Sequence, residues 1–595
     1  MSVAAPPRGR SRRPPPRRPA PSRGRARPSR APNPSRRIRL LLLWCGLLLL
    51  AVGVRATYLQ VVHHDHYVAL AADEHRSSVV LHASRGDIVD RRGHELAVSD
   101  QATTIGAYVP LEDPTAVSKA IASALELDQA SVYAKLANPD LKGHIDVVRQ
   151  ADPAAAKKLE AQKIPGLTFL PEERRVYPGG TATAIVGATD IDGNGLAGLE
   201  KSYDKSLSGK DGHEVFVQSG GAAGTQMTLS PITLDAPRNG GRLELALDLE
   251  IQAANEKLAQ STLETTGAET VTILQIDPRT GGVLSMASAP GALETPYGAA
   301  TADQVKLRAI TDQYEPGSTF KPVTMAAGLD RKVISPRSRF VVPGCMNLYD
   351  RRICDAEPHG PVTMSVADIL RVSSNVGTVQ IAYQKLSGEG EAAHGEFFAP
   401  YIDRFGFTRK TGIDLPGEVK GQVPPYSKWS GTTIGNIPFG QGIASSPMQL
   451  GAFYAMLAAG GVWRQPHIVA RVNDKPVQLR TERQVPKRVT TQLTKMLEDV
   501  VKPGGTGERA AIPGYRVAGK TGTTQKVIDG TYSDTQYIAF FAGYAPSRDP
   551  RVMTLVIVDD PDGKAYHGGE AAAPVFAEAT AKALQVLGVP RQKGL

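Results

Sequence analysis

The chain has 595 residues, enough for two to four domains each with its own core, and a formal net charge of +10. Twelve arginines, and no lysine, aspartate or glutamate, lie within residues 1–37, so residues 38–595 carry a formal charge of −2. The basicity belongs to a tail, and a nucleic-acid-binding body is excluded.

That tail, "PPRGRSRRPPPRRPAPSRGRARPSR", is rich in proline and nearly free of large apolar residues. It cannot bury a core, and residues 1–37 are expected to be disordered. The stretch "IRLLLLWCGLLLLAVGVRA", residues 38–56, follows, with an uninterrupted apolar run between Arg39 and Arg55. The run is short for a bilayer, which takes roughly 17–25 residues, but flanking arginines extend it by snorkelling. Arginines ahead of the span hold the N-terminus in the cytoplasm. The expectation is one uncleaved transmembrane helix with everything after about residue 57 exported. The rival is a signal peptide cleaved near Ala51-Val52-Gly53.

Beyond the span the pattern is mixed. "SSVVLHASRGDIVDRRGHELAVS" alternates like strands around a tight turn at Arg92-Gly93, and Asp113-Pro114 signals the start of a helix. Asp190, Asp192, Asn194 and Gly195 match the first half of a calcium loop. The twelfth position, where a bidentate glutamate belongs, is Lys201, so a plain turn is expected and no metal. After residue 238 the texture is that of one large domain. "LDLEIQAANEKLAQSTLE" reads as a helix, and "ETVTILQIDPRTGGVLSMAS" as a hairpin turning at Asp277 to Gly281. Helices dominate from Ala309 to about Gly461. Three strands and a closing helix, "AAAPVFAEATAKALQVLG", complete the chain. Strands at both ends with helices between predict a single sheet built from distant segments, an α+β fold.

Cys345 and Cys354 flank "MNLYDRRI", a candidate turn between two short strands. In an exported domain a disulfide is expected; two free thiols, or a metal site with His359, are the alternatives.

"YEPGSTFKP" carries the first chemical signal. Pro316-Gly317 is a turn, Ser318 is placed to open a helix, and Lys321 lies one helical turn on, where its amine could reach the hydroxyl. A serine nucleophile needs a base, and a lysine serves when burial or a second cation lowers its pKa. Alone, S-x-x-K is common. Here "RVSSNVG" adds Ser373 and Asn375, an S-x-N element, and a K-T-G triplet would complete a known set. Two triplets compete. Lys410-Thr411-Gly412 runs into the strand-breaking Pro416-Gly417, whereas Lys520-Thr521-Gly522 begins a strand-rich segment. An edge strand can present backbone N–H and C=O groups to an extended peptide, so the second triplet is the choice.

The ordered set Ser318-x-x-Lys321, Ser373-x-Asn375, Lys520-Thr521-Gly522 resembles the penicillin-binding proteins. "RGDIVDRRGHELA", "RRVYPGG" and "GNGLAGLEKSYDKSLSG" resemble the pedestal of the class B, monofunctional type. "FGQGIASSPMQL" and "YIAFFAGYAP…HGGEAAAPVF" look most like its division-specific (FtsI-type) members. The resemblance implies a pedestal (dimerisation-type) domain at 57–238 and a serine β-lactamase-like transpeptidase domain at 239–590. It also implies D,D-transpeptidation of peptidoglycan stem peptides ending in D-Ala-D-Ala, inhibition by β-lactams, and no cofactor. Ser318 would be the nucleophile, Lys321 the base, Ser373 a proton relay, and Asn375 an orienting amide. Lys520 would keep the site electropositive, and Thr521, Gly522 and Thr523 would line the substrate strand, with both threonines binding the substrate carboxylate. The backbone N–H groups of Ser318 and Thr523 would form the oxyanion hole. The implied partners are a polytopic glycosyltransferase and other division proteins at the septal membrane. An elongation-type transpeptidase, a β-lactamase or β-lactam sensor, and a non-enzymatic scaffold are the competing readings. A class A β-lactamase would carry S-D-N where this chain has Ser373-Ser374-Asn375.

Overall fold

The computed structural model describes residues 34–65, 67, 76–217, 233–293, 295–388, 395–563 and 565–592. Most of the arginine-rich tail lies outside them. Helix α1, Pro34–Thr57, starts one turn before the apolar run, so Pro34–Arg37 are helical where a disordered tail was expected. It continues through a π-helical turn at Tyr58–Val62. Ile38–Val62, 25 residues, is long and apolar enough to cross a membrane.

In the first extracytoplasmic-type segment, β1 (Ile88–Val89) turns at Gly93 into the long strand β2 (Glu95–Val109). Helix α2 (Pro114–Leu125) starts where the sequence signals it. The Asp113 carboxylate accepts from the N–H groups of Thr115 and Ala116, and Pro114 needs no donor there. Strands β3 (Gly143–Ala151) and β4 (Leu167–Val176) both pair antiparallel with β2. The apparent calcium loop is a turn. Asp190 accepts from the backbone N–H groups of Asp192 and Asn194, and Gly193 takes φ +82°. Glu200 is fully buried and serves another purpose: it binds Arg85 Nε at 2.6 Å and Arg175 Nε at 2.8 Å. Two guanidiniums thus share one carboxylate in the interior.

The catalytic-type segment opens with β5 (Leu243–Leu245) and α3 (Leu249–Thr266), the latter capped by Asp248. The hairpin follows as β6 (Thr270–Ile276) and β7 (Val283–Ala289). Further along come α4 (Lys321–Asp330), the short strands β8 (Cys345–Leu348) and β9 (Arg351–Cys354), and α5 (Asn375–Leu386). These strands, with a second small pair at Arg339–Val342 and Val362–Ser365, interrupt the expected run of helices. Then follow α6 (Pro447–Ala458), β10 (Val469–Val472), β11 (Ala518–Ile528), β12 (Thr531–Ala545), β13 (Val552–Asp559) and α7 (Ala572–Val586).

The central sheet is antiparallel, in the order β7-β6-β13-β12-β11, joining the two distant strand clusters. Every residue of β6 and β13 is buried because both faces are covered. Leu274, Ile276, Leu555 and Ile557 share a core with Leu450 and Met448 of α6. Val271, Ile273, Val556 and Val558 pack with Ile251 of α3 and Phe576 of α7. Alternate side chains of one strand thus enter opposite cores, as the period of two requires. Strand β11 is left as an open edge. A second sheet joins the two segments: β1 pairs with β2 and, in parallel, with β5, which pairs with β10.

Candidate active site

Ser318 lies in a 3-10 turn, Gly317–Phe320, that runs into α4. The turn packs against edge strand β11, and two glycines permit the approach. A Cβ on Gly317 would sit 2.3 Å from Thr524 Cγ2, and this residue takes φ +51°, where side chains are disfavoured. A Cβ on Gly522 would meet Thr319 Cγ2 at 2.9 Å. The glycine of the second triplet is thus what lets the strand lie beside the serine.

The second triplet is on β11, in register with Phe541 through Thr521. The first is an exposed loop. Thr411 and Gly412 donate their N–H groups to Glu418, and Lys410 points to solvent.

Lys321 and Lys520 are both fully buried, yet both amines meet the Ser373 hydroxyl, at 3.1 and 2.9 Å. Lys321 also donates to the Ser373 carbonyl and, at 2.8 Å, to Asn375 Oδ1. Burial lowers the Lys321 pKa to about 7, opposed by the charge of Asp355. Lys520 is pushed well below the ordinary lysine range, first by burial and then by the Lys321 charge. A neutral Lys321 has two N–H donors and one lone pair. The donors match the Ser373 carbonyl and Asn375, and the lone pair then accepts the Ser373 hydroxyl proton. Lys520 donates to the same hydroxyl oxygen. The result is an ordered proton path between two amines.

The Ser318 hydroxyl is partly exposed and has no hydrogen bond to the described residues. Lys321 therefore does not engage it directly, as the helical spacing had suggested, because a carbonyl and an amide oxygen lie within its reach and are better acceptors. Ser318 opens onto a cleft of about 1300 Å³, lined also by Ser373, Asn375, Thr521, Gly522 and Thr523. The structure thus brings every sequence-selected residue to this cleft or, for Lys321 and Lys520, directly beneath it. The Thr523 hydroxyl accepts from the Gly568 N–H at 2.9 Å, so its own proton is free to donate. Thr521 shares a hydrogen bond with Thr506 at 2.7 Å. Cys345 and Cys354 pair across the β8–β9 hairpin and are joined as a disulfide. Sequence reasoning missed Asp355, His359 and Thr506. Only the glycine pair in "HGGE" hinted at a close backbone approach there; a Cβ on Gly568 would sit 2.2 Å from the Gly522 carbonyl oxygen.

A buried lysine pair converging on one serine beside an open-edged antiparallel sheet defines a serine–lysine penicilloyl-type scaffold. Family comparison agrees. The penicillin binding protein transpeptidase domain matches residues 271–581, and the penicillin-binding protein dimerisation domain matches residues 80–231. The chain belongs to the penicillin-binding proteins, in their class B branch. It is 34% identical over 548 residues to the peptidoglycan D,D-transpeptidase FtsI of Escherichia coli K12, covering 90% of this chain and 89% of that one. It is 30% identical to stage V sporulation protein D of Bacillus subtilis, covering 94% and 87%. Penicillin binding protein 3 of Mycobacterium tuberculosis, solved with aztreonam, superposes with a TM-score of 0.67 at 27% identity, covering 87% of this chain and 99% of that one.

Proposed function

We propose that this chain is a division-type peptidoglycan D,D-transpeptidase acting through a Ser318 acyl-enzyme. The observation that carries the reading is the convergence of Lys321 and Lys520 on Ser373 beside Ser318. Ser318 Oγ attacks the carbonyl of the penultimate D-Ala, and its proton passes to neutral Lys321. The oxyanion is held by the N–H groups of Ser318 and Thr523. Ser373 relays a proton to the leaving D-Ala amine, and the C–N bond breaks. Asn375 orients the substrate amide and Lys321, while Lys520, Thr521 and Thr523 hold the terminal carboxylate. An amine of a neighbouring stem then attacks the ester, forming the cross-link and freeing Ser318. β-Lactams acylate the same oxygen.

The FtsI relative supports a septal role, and Ile38–Val62 supports a single-pass anchor with its N-terminus in the cytoplasm. A polytopic glycosyltransferase and other division proteins are the expected partners. The test is fluorescent penicillin on the full-length chain in detergent. Ser318→Ala should abolish covalent labelling without changing the unfolding transition, and full labelling of that variant would reject the nucleophile. An adduct persisting for many minutes distinguishes a transpeptidase from a β-lactamase. Labelling confined to the septum of dividing cells distinguishes division from elongation.

A further inference from the structure

Ser373 holds the two lysines together, and it does so in an unfavourable backbone conformation. Its φ is +61°, the left-handed region, which costs a non-glycine residue about 1–2 kcal/mol. Such a residue persists only when its surroundings over-determine it. The conformation matters here because one residue must offer both its carbonyl and its hydroxyl to Lys321.

The restraint comes from a residue outside the three motifs. The Asp355 carboxylate, buried to 8% exposure, accepts from the Ser374 hydroxyl at 2.7 Å and from the Val376 N–H at 2.9 Å. It thus grips both sides of Asn375 just after the strained turn. Ser374 Oγ in turn accepts from the Gly377 N–H, capping α5. A second tie comes from the adjacent residue, since Asn375 Nδ2 donates to the Cys354 carbonyl at 3.1 Å. Asp355 is itself fixed by its own N–H, which donates to the Gly344 carbonyl at the base of the disulfide hairpin. On its other side stands His359, with Nε2 at 3.0 Å from Asp355 and Nδ1 at 2.7 Å from the Gly360 carbonyl. Both ring nitrogens face acceptors, so the imidazolium satisfies both and balances the carboxylate.

We propose that Asp355 is a positioning residue for the acyl transfer, holding the Ser373-Ser374-Asn375 turn so that Ser373 and Asn375 meet Lys321. The proposal rests on the Ser318 reading and deepens it. Asp355 touches no substrate; it acts through Ser374, the Val376 N–H and its field at Lys321.

The test uses the full-length chain in detergent and a chromogenic β-lactam, read as the acylation rate at saturation, the half-saturating concentration and the pH profile. In Asp355→Asn the saturating rate should fall about 10- to 100-fold, the cost of small misplacement, with little change in half-saturating concentration. The acid limb of its profile should move to lower pH, because the carboxylate that favours protonated Lys321 is gone. Asp355→Glu should keep the limb where the wild type has it while remaining slow. Ser374→Ala, which removes one of the two contacts, should lose less in the same parameter. A lower melting temperature with saturating rate and acid limb unchanged would overturn the proposal, as would a loss only in half-saturating concentration. If Asp355→Asn does not fold, Ser374→Ala decides: an unchanged saturating rate sinks the idea. Failure of the Ser318 reading is separately visible, as wild-type chain that is not acylated at all.

Discussion

Lys321 of helix α4 and Lys520 of strand β11 place their amines on a single oxygen, that of Ser373, at 3.1 and 2.9 Å. Two ammonium groups cannot share a buried site without mutual repulsion, so at least one proton is weakly held. Lys321, with its pKa near 7, is the one that can release and recover it at working pH.

Acylation should therefore follow the neutral fraction of Lys321. Rates measured from pH 5 to 9 with a chromogenic β-lactam should rise about tenfold per pH unit below 7 and level off above it. A rate independent of pH across this range would exclude Lys321 as the base. The sign for stability is the same. Between pH 7 and the ordinary lysine range the unfolded chain binds a proton that the folded site does not, so this group's contribution to stability rises with pH.

The two triplets separate by mutation. Lys520→Ala removes a buried cation from a pocket that must hold a carboxylate, a change worth about 2–5 kcal/mol. That corresponds to roughly 30-fold to several-thousand-fold in acylation rate. Lys410→Ala, on an exposed loop, should stay within about 0.5 kcal/mol in stability and leave acylation nearly unchanged. Equal losses in the two variants would contradict the assignment.

Gly522→Ala tests the approach of strand and nucleophile. The added methyl would press on Thr319 at 2.9 Å and on the Pro316 carbonyl at 3.2 Å. The strand should be displaced at a cost of about 1–3 kcal/mol, with acylation falling more than substrate affinity. Thermal unfolding and saturation kinetics on one preparation measure both. A fully active, equally stable variant would show that the contact is slack.

Much of this was legible beforehand. The continuous β-branched runs at Thr270–Ile276 and Val552–Asp559 marked strands covered on both faces, and the motif spacings located Ser318, Lys321, Ser373 and Asn375. The choice between the triplets followed from the strand context of Lys520. Asp355 was not legible. It meets Ser374 across 19 residues through a hairpin whose strands are four residues each, too short for a periodic signal. The pairing of Lys321 with Ser373 rather than Ser318 was also hidden, because it depends on the left-handed turn at Ser373.

Removing Glu200 should be among the most damaging single changes in the pedestal-like segment. Glu200→Ala leaves Arg85 and Arg175, 8% and 5% exposed, as uncompensated buried cations, a loss of about 3–5 kcal/mol. A melting temperature within a degree or two of wild type would contradict it.

The β8–β9 disulfide closes a loop across a sequence separation of 9, which in the chain-entropy model stabilises by about 2–3 kcal/mol. Mass spectrometry of non-reduced peptides should show Cys345 linked to Cys354, and Cys345→Ser should lower the melting temperature. Two freely alkylated thiols in exported protein would contradict the link.

The shared sheet gives this molecule a mechanical property. Ile88–Val89 is hydrogen-bonded to Leu243–Glu244, which is bonded on its other side to Val469–Val472, deep in the catalytic sequence. Swivelling the first segment against the second would mean breaking a backbone ladder, not bending a linker. A protein that grips the pedestal at a distance therefore has a handle on the cleft itself: tilt one, and the serine turns with it.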